Sequence, residues 1–106
     1  MERRDEKIRH AIKELAAKYV QQESSGASLI TITDVRITNN GKNADILFTV
    51  LPEDKAHTVE KFLKRKRSDF QEYARVNSRI GRIPFFDFDI DLGEKNRQNI
   101  DRISNS

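Results

Sequence analysis

The stretch KFLKRKRSDFQEYARVNSRIGRIP, from Lys61 to Pro84, decides the fold and concentrates the positive charge of this chain. It holds eight basic and two acidic residues, a net charge of +6, whereas the whole chain of 106 residues carries only +3. The remainder of the chain is therefore slightly acidic. We call the eight basic residues the basic cluster: Lys61, Lys64, Arg65, Lys66, Arg67, Arg75, Arg79 and Arg82.

Apolar residues of the same stretch recur every three or four positions, which is the period of an amphipathic helix. This period slips between Arg67 and Asp69, so two consecutive helices fit the pattern better than one. Ser68 and Gln71 have the spacing of a capping box, which predicts that the second helix begins at Ser68. The helices would pack their apolar side on a small sheet and hold the cations outside. The apolar residues are Phe62, Leu63, Phe70, Tyr73, Val76 and Ile80.

A further amphipathic pattern runs from Asp5 to Gln22 and predicts a helix near the start of the chain. Its cations are interleaved with glutamates, and we interpret them as a solvated face rather than an anion site. The apolar stripe consists of Ile8, Ile12, Leu15 and Tyr19, and the cations are Arg3, Arg4, Lys7, Arg9, Lys13 and Lys18.

Three segments have the composition of β-strands. The first, Leu29 to Ile37, is rich in β-branched residues, and its alternation slips in a way that indicates a bulge near Thr33 and Asp34 or burial on both faces. The Asn-Asn-Gly-Lys turn at 39–42 joins it to a second strand, Ala44 to Leu51. The third strand runs from Ile83 to Ile90. Its inward side chains would be Phe86, Phe88 and Ile90.

The segment between the second strand and the basic cluster should begin a helix, because Pro52 suits the first helical position. The predicted order is thus helix, strand, strand, helix, helix, strand. This order is typical of an α+β fold of two layers, with a three-stranded sheet covered by helices on one face.

Length and composition indicate one domain over residues 1–106. Apolar residues make up 36% of the chain and there is no cysteine, which excludes disulfides and thiolate metal sites. The sequence shows neither a signal peptide nor a membrane-spanning run, so a cytoplasmic location is expected. The segment from about 92 to 106 is polar and should be partly disordered, although Ile100 and Ile103 permit a short docked turn.

Candidates for catalysis are few. Asp87, Asp89 and Asp91 alternate along the third strand and would project together, as carboxylates do in two-metal nucleases. A solvated outer strand face is the favoured interpretation. His10 and His57 each lack a second ligand at a suitable spacing, so both are interpreted as surface residues. We therefore expect no catalytic residues, no metal and no cofactor.

The order of the elements and several of their sequences resemble the ribosome-binding factor A family, whose members have a K-homology fold of the second type. The resemblance covers about Arg4 to Ile103 and rests on the first helix and on ITITDVRIT, NADILFTVLPED, SRIGRIPFFDF and EKNRQNIDRI. Where the family usually carries an alanine and a glycine at the break between its central helices, this chain has residues 66–69, Lys-Arg-Ser-Asp. The family's Ser-Asp motif after the first strand appears here as Thr-Asn-Asn at 38–40.

The resemblance implies a non-catalytic assembly factor that binds the small ribosomal subunit and its rRNA during late maturation and 5′-end processing of that rRNA, with a role in cold adaptation. It implies a monomer with no membrane and no small-molecule substrate. Ordinary K-homology domains clamp single strands with a Gly-x-x-Gly loop, and no two glycines of this chain are three apart. Recognition by charge and shape is therefore expected.

The basic cluster has two interpretations, an RNA-contacting surface or a face that only aids solubility. We favour the first and expect one continuous electropositive surface. Phe62, Phe70 and Tyr73 could stack on bases, but their helical spacing favours a place in the core. Two further hypotheses are a protein-interaction adaptor that uses its sheet edge or first helix, and a small metal-dependent nuclease.

Overall fold

The structure is a computed structural model that describes residues 2–24 and 26–93, with side chains from residue 6 onward. Its elements in chain order are α1 (Glu2–Glu23), β1 (Leu29–Thr38), β2 (Asn43–Leu51), a short 3₁₀ turn (Glu53–Lys55), α2 (Ala56–Arg65), α3 (Arg67–Asn77) and β3 (Phe85–Ile90). The predicted order is confirmed. The expected docked turn at Ile100 and Ile103 lies outside the described residues. None of the described helices is long and apolar enough to cross a membrane.

The three strands form a mixed sheet in the order β1, β2, β3. β1 and β2 are antiparallel, whereas β2 and β3 are parallel. In the turn that joins the first two strands, Asn39, Asn40 and Gly41 have φ angles of 55°, 54° and 85°. Asparagine and glycine tolerate this left-handed conformation better than other residues. The predicted turn is therefore confirmed, and the positive φ angles explain why these residues occupy it.

The bulge predicted in β1 is present at Thr33. The pairing with β2 shifts its register between Ile32 and Asp34, which leaves Thr33 as the extra residue. One extra residue moves the residues after it to the opposite face of the strand. Ile32 and Val35 consequently both lie in the core, with 8% and 2% of their surface exposed. The bulge therefore accounts for the irregular alternation.

The helices cover one face of the sheet, and the core lies between these two layers. Phe70 of α3 is fully buried, with its ring centroid 4.7 Å from that of Phe86 and 5.6 Å from that of Phe88. On its other side the ring lies 5.2 Å from Tyr19 of α1. Burying an aromatic side chain of this kind contributes about 1.5–3 kcal/mol. Phe70 therefore joins α1, α3 and β3, as its helical spacing predicts.

The predicted break between the two central helices is present, but it lies earlier than the slip between Arg67 and Asp69 and has a different local reason. The single non-helical residue is Lys66, at φ −95° and ψ 7°, and α3 begins at Arg67 without a side-chain cap. The Phe70 amide already donates to the Lys66 carbonyl at 2.8 Å, so helical hydrogen bonding starts before Ser68 can act as a cap. The predicted start at Ser68 with its capping box is therefore wrong. These angles lie in the bridge region that ordinary residues adopt at the third position of a type I turn, so the break needs no glycine.

The start of α2 also differs from the prediction. Pro52 has an extended backbone, with φ −69° and ψ 152°, and precedes the 3₁₀ turn as its N-terminal cap residue. It therefore does not occupy the first position of the α-helix. α2 itself begins only at Ala56, because the tighter 3₁₀ turn takes up the first residues after the proline.

Candidate nucleic-acid interface

The basic cluster extends over the helix pair and the segment that leads from it to β3. All eight side chains belong to exposed or half-buried residues, which leaves them open to water. Three lie on α2, one at the break, two on α3 and two in the segment 78–84: in that order, Lys61, Lys64 and Arg65; Lys66; Arg67 and Arg75; Arg79 and Arg82.

Lys64 does not point freely into solvent. Its Nζ donates to Oδ1 of Asp87 at 3.0 Å and to Oδ1 of Asp89 at 3.2 Å. These aspartates alternate in β3 with the buried Phe86 and Phe88, so they lie on the sheet face away from the helices. β3 is an edge strand beside α2, and the lysine reaches its partners past that edge.

The charges of this contact hold one another in the ionised state. Burial favours neutral Lys64, but its hydrogen bonds to Asp87 and Asp89 outweigh burial and raise the pKa of the ammonium group. Burial likewise opposes ionisation of Asp87, yet the bonds from Lys64 and from the Phe88 amide lower the pKa of that carboxyl. Both groups are therefore charged at neutral pH.

Arg67 completes this ion-pair group. One terminal guanidinium nitrogen donates to Asp87 at 3.3 Å, and Nε donates to the Lys64 carbonyl at 3.0 Å. The second bond satisfies a carbonyl at the carboxyl end of α2, where cations are favoured by the helix dipole. Arg67 thus joins the end of α2 to the edge of the sheet.

Side chains of α1 also contact the break between α2 and α3. Lys66 forms an ion pair with Glu23 at 3.3 Å, and its Nζ lies 5.7 Å from the ring centroid of Phe62. One turn earlier on α1, the Tyr19 hydroxyl donates to the Asp69 carboxylate. Burial, followed by this hydrogen bond and the negative charge of Asp69, raises the pKa of Tyr19. The hydroxyl therefore remains protonated and available as a donor.

Arg75 is the fourth cation of the basic cluster with a carboxylate partner, which is Glu72 one turn away on α3. Its Nε donates to the glutamate at 3.0 Å, and a second guanidinium nitrogen contacts the other carboxylate oxygen. The bond from Arg75 lowers the pKa of Glu72. Both side chains are largely exposed, so the pair contributes little to stability.

The other half of the basic cluster has no ion pair within the described part of the chain. Lys61 and Arg65 are one turn apart on α2 and share a face of that helix. Arg79 and Arg82 flank the bend after α3. Among the residues that the structure describes, the expected continuous electropositive surface is thus divided into four cations with carboxylate partners and four without. That these residues bind RNA stays a prediction.

The acidic group on the open sheet face differs from the one expected from sequence. Asp45, Asp87 and Asp89 bring carboxylate oxygens within 4.8 Å of one another. Asp45 joins the group because the parallel register places it opposite Asp87, which the alternation of β3 alone could not reveal. Asp91 is held elsewhere, since its carboxylate accepts from the Thr33 hydroxyl at 2.5 Å.

Two carboxylates of this group already form ion pairs with a lysine. The ammonium of Lys64 donates to both Asp87 and Asp89 and so neutralises part of their negative charge. His10 and His57 pair instead with Glu14 and Glu60 on their own helices, at 3.0 and 3.6 Å. Among the described residues, these contacts agree with the interpretation of a solvated strand face and of surface histidines.

Comparison with known proteins adds two structures of similar fold. A crystal structure of ribosome-binding factor A from Thermus thermophilus is 18% identical and gives a TM-score of 0.68, covering 78% of this chain and 90% of that one. A solution NMR structure of a Thermotoga maritima protein, a putative ribosome binding factor A, is 24% identical and gives a TM-score of 0.66, covering 81% and 85%. Both show the same fold.

The comparison with curated protein sequences finds no match. The family model for ribosome-binding factor A, in contrast, matches residues 1–104. Since that match spans almost all of the sequence and the fold agrees with it, this chain belongs to the ribosome-binding factor A family.

Proposed function

We propose that this protein binds the small ribosomal subunit and its rRNA during late maturation, when the 5′ end of that rRNA is processed. It does so as a cytoplasmic monomer and catalyses no reaction. The observation that carries the proposal is the concentration of cations on the helix pair of a chain in the ribosome-binding factor A family.

Family membership supports a role at the ribosome, because the family is described as a ribosome-binding factor. The same description agrees with binding rather than catalysis. The narrower choice of the small subunit and of its rRNA follows from the resemblance in sequence and from the charge of the helix pair. Phosphate groups dominate the surface of folded RNA, and cations supply affinity to them without reading sequence.

The four cations without carboxylate partners should make the largest contribution. A phosphate contact releases condensed counterions, which gives a log-log salt slope of about 0.7 to 0.9 per contact. Lys61, Arg65, Arg79 and Arg82 would together account for roughly 3 units of slope if each meets a phosphate. Their exposure means that no existing ion pair has to break first.

The test is cosedimentation with immature and mature small subunits over a range of potassium chloride concentrations. We expect the wild-type protein to prefer immature particles, and the variant K61A/R65A/R79A/R82A to lose roughly 3 units of salt slope. The matched control is K7A/K13A/K18A/K42A, which removes four exposed lysines outside the basic cluster. Equal salt slopes for the two quadruple variants would remove the basic cluster from the binding surface.

A protein-interaction adaptor is the second candidate, and one surface favours it. A groove of about 750 Å³ lies between the carboxyl half of α1 and β1, the other edge strand of the sheet. Nearby, the paired Leu29 and Leu51 are 63% and 59% exposed. Digestion of the subunit with RNase separates the two candidates, because a protein-mediated contact survives digestion and an rRNA-mediated contact does not.

A further inference from the structure

We propose that Asp87 and Asp89 act as an internal competitor for RNA, holding Lys64 and Arg67 away from phosphate and so limiting the affinity of the helix pair. This inference rests on the proposed function, since it concerns the same surface. It assigns the two aspartates a part in setting binding strength, although neither would touch the RNA.

The geometry of the contact supplies the first argument. Asp87 receives both cations on one carboxylate oxygen, Lys64 at 3.0 Å and Arg67 at 3.3 Å, while Asp89 adds a second bond to Lys64 at 3.2 Å. Charge-assisted hydrogen bonds of this length are the same kind that the cations would form with phosphate. A phosphate must therefore displace a partner of comparable strength that is already in place.

The local charge supplies the second argument. Three carboxylates, those of Asp45, Asp87 and Asp89, face the two cations, and Arg36 lies opposite Asp45 on the neighbouring strand. The region beside the β3 edge is therefore close to neutral, although the helix pair carries strong positive charge. An approaching phosphate gains little Coulomb energy here, whereas Lys61 and Arg65 offer uncompensated charge on the same helix.

The position of the aspartates supplies the third argument. They sit in a strand that is paired along its length to β2, from Asn43 opposite Phe85 to Phe48 opposite Ile90. Their backbone therefore cannot follow the cations toward a ligand. Lys64 and Arg67 cannot contact the aspartates at the sheet edge and an RNA phosphate at the same time. Each phosphate contact that they make therefore breaks an ion pair within the protein.

The test compares the variant D87N/D89N with the wild-type protein in binding small-subunit rRNA between 50 and 200 mM potassium chloride. Freeing two cations should steepen the salt slope by about 1.4 to 1.8 units. The loss of affinity across that range should consequently be about tenfold greater in the variant than in the wild type. The matched control E6Q/D54N removes two exposed carboxylates elsewhere, and its slope should equal that of the wild type.

A double-mutant comparison shows whether an increase in salt slope comes from the contact of Lys64 and Arg67 with the two aspartates. K64A/R67A should change the slope little in the wild-type background, but should abolish the extra slope in the D87N/D89N background. D87N alone frees Arg67 but leaves Lys64 paired with Asp89, so it should give about half of the increase. It replaces the double variant if that variant does not fold.

The outcomes separate this inference from the proposed function. Wild-type binding with a slope that D87N/D89N leaves unchanged overturns the inference and leaves the proposed function standing. An equal rise in slope for E6Q/D54N also overturns it, because net charge would then explain the gain. Wild-type protein that binds no rRNA at any salt concentration overturns both.

Discussion

At the scale of single residues, Asp45 shows how a neighbour across a strand changes the behaviour of a carboxyl group. Burial, and then the negative charges of Asp89 and Asp87, raise the pKa of Asp45. Arg36 and Lys64 oppose the shift but do not cancel it. Ionisation of the Asp45 carboxyl is therefore less favourable in the folded protein than in the unfolded chain.

We expect Asp45→Asn to stabilise the protein at pH 7 by roughly 0.2–1 kcal/mol, the range for like charges on paired strands. A group whose folded pKa is raised favours folding below its unfolded pKa, near 4, and loses that contribution as pH rises through the folded value. The gain should therefore be smaller at about pH 3.5, which lies below both the unfolded and the folded pKa and leaves the wild-type carboxyl mostly protonated. Urea unfolding at the two pH values measures this difference.

The control for this prediction is Asp54→Asn, which neutralises an exposed aspartate outside the acidic group. It should alter stability by less than about 0.5 kcal/mol at both pH values. A stabilisation by Asp45→Asn that is as large at pH 3.5 as at pH 7 would show that the cost of ionising the half-buried carboxyl is not its cause.

At the scale of the elements, the break between α2 and α3 is defined by its neighbours rather than by its own sequence. Glu23 of α1 pairs with Lys66, and Asp87 of β3 pairs with Arg67, so the two residues at the break are held from opposite sides. The family's small residues at this position are absent here, and the ordinary backbone angles of Lys66 make them unnecessary. Contacts between elements thus take the place of a special residue.

Ser68→Ala distinguishes the two accounts of this break. A serine that caps a helix contributes about 1 kcal/mol, whereas a serine within the first turn contributes little. Because α3 begins at Arg67 with no side-chain cap, we expect the substitution to change the free energy of unfolding by less than about 0.5 kcal/mol. A loss near 1 kcal/mol in chemical denaturation would restore the capping box at Ser68.

At the scale of the whole molecule, one aromatic side chain joins both layers. Phe70 contacts rings from α1, α3 and β3, so its removal weakens the packing of the helices on the sheet and of α1 on α3 together. Phe70→Ala should destabilise the protein by about 3–5 kcal/mol, a large part of the 5–15 kcal/mol typical of a domain.

Thermal unfolding followed by circular dichroism tests this prediction, with Val76→Ala as the control. Val76 lies on the same helix but is 64% exposed, so its truncation should cost less than about 0.5 kcal/mol. Similar losses for the two variants would mean that Phe70 does not occupy the centre of the core.

The charge of the molecule is organised at the same scale. Cations follow the helix pair, while Asp45, Asp87 and Asp89 gather on the open sheet face and reach part of the basic cluster past the β3 edge. Four cations keep their charge uncompensated within the described residues, and four are matched by carboxylates. The surface that we propose for RNA binding is therefore smaller than the number of lysines and arginines indicates.

The sequence by itself determined the order of the helices and strands, the Asn-Asn-Gly turn and most of the side chains that face the core. These features follow from backbone preferences and from side-chain periods that act over a few residues. Even the interruption near Lys66 is visible as a slip in the helical period, although the residue that begins α3 is not. The sequence left the irregularity of β1 open between a bulge and burial on both faces, and it wrongly placed Val76, which is 64% exposed, on the packed side of α3.

Only the tertiary structure decided which charges meet. Asp45 and Asp87 become neighbours through the parallel register of β2 and β3, and Lys64 reaches Asp87 because α2 packs beside the edge of the sheet. Such contacts join residues that are distant in the chain, and no local pattern encodes the distance between their charged atoms. For this reason the sequence located the basic cluster, while the fold determined which of its members have carboxylate partners among the described residues.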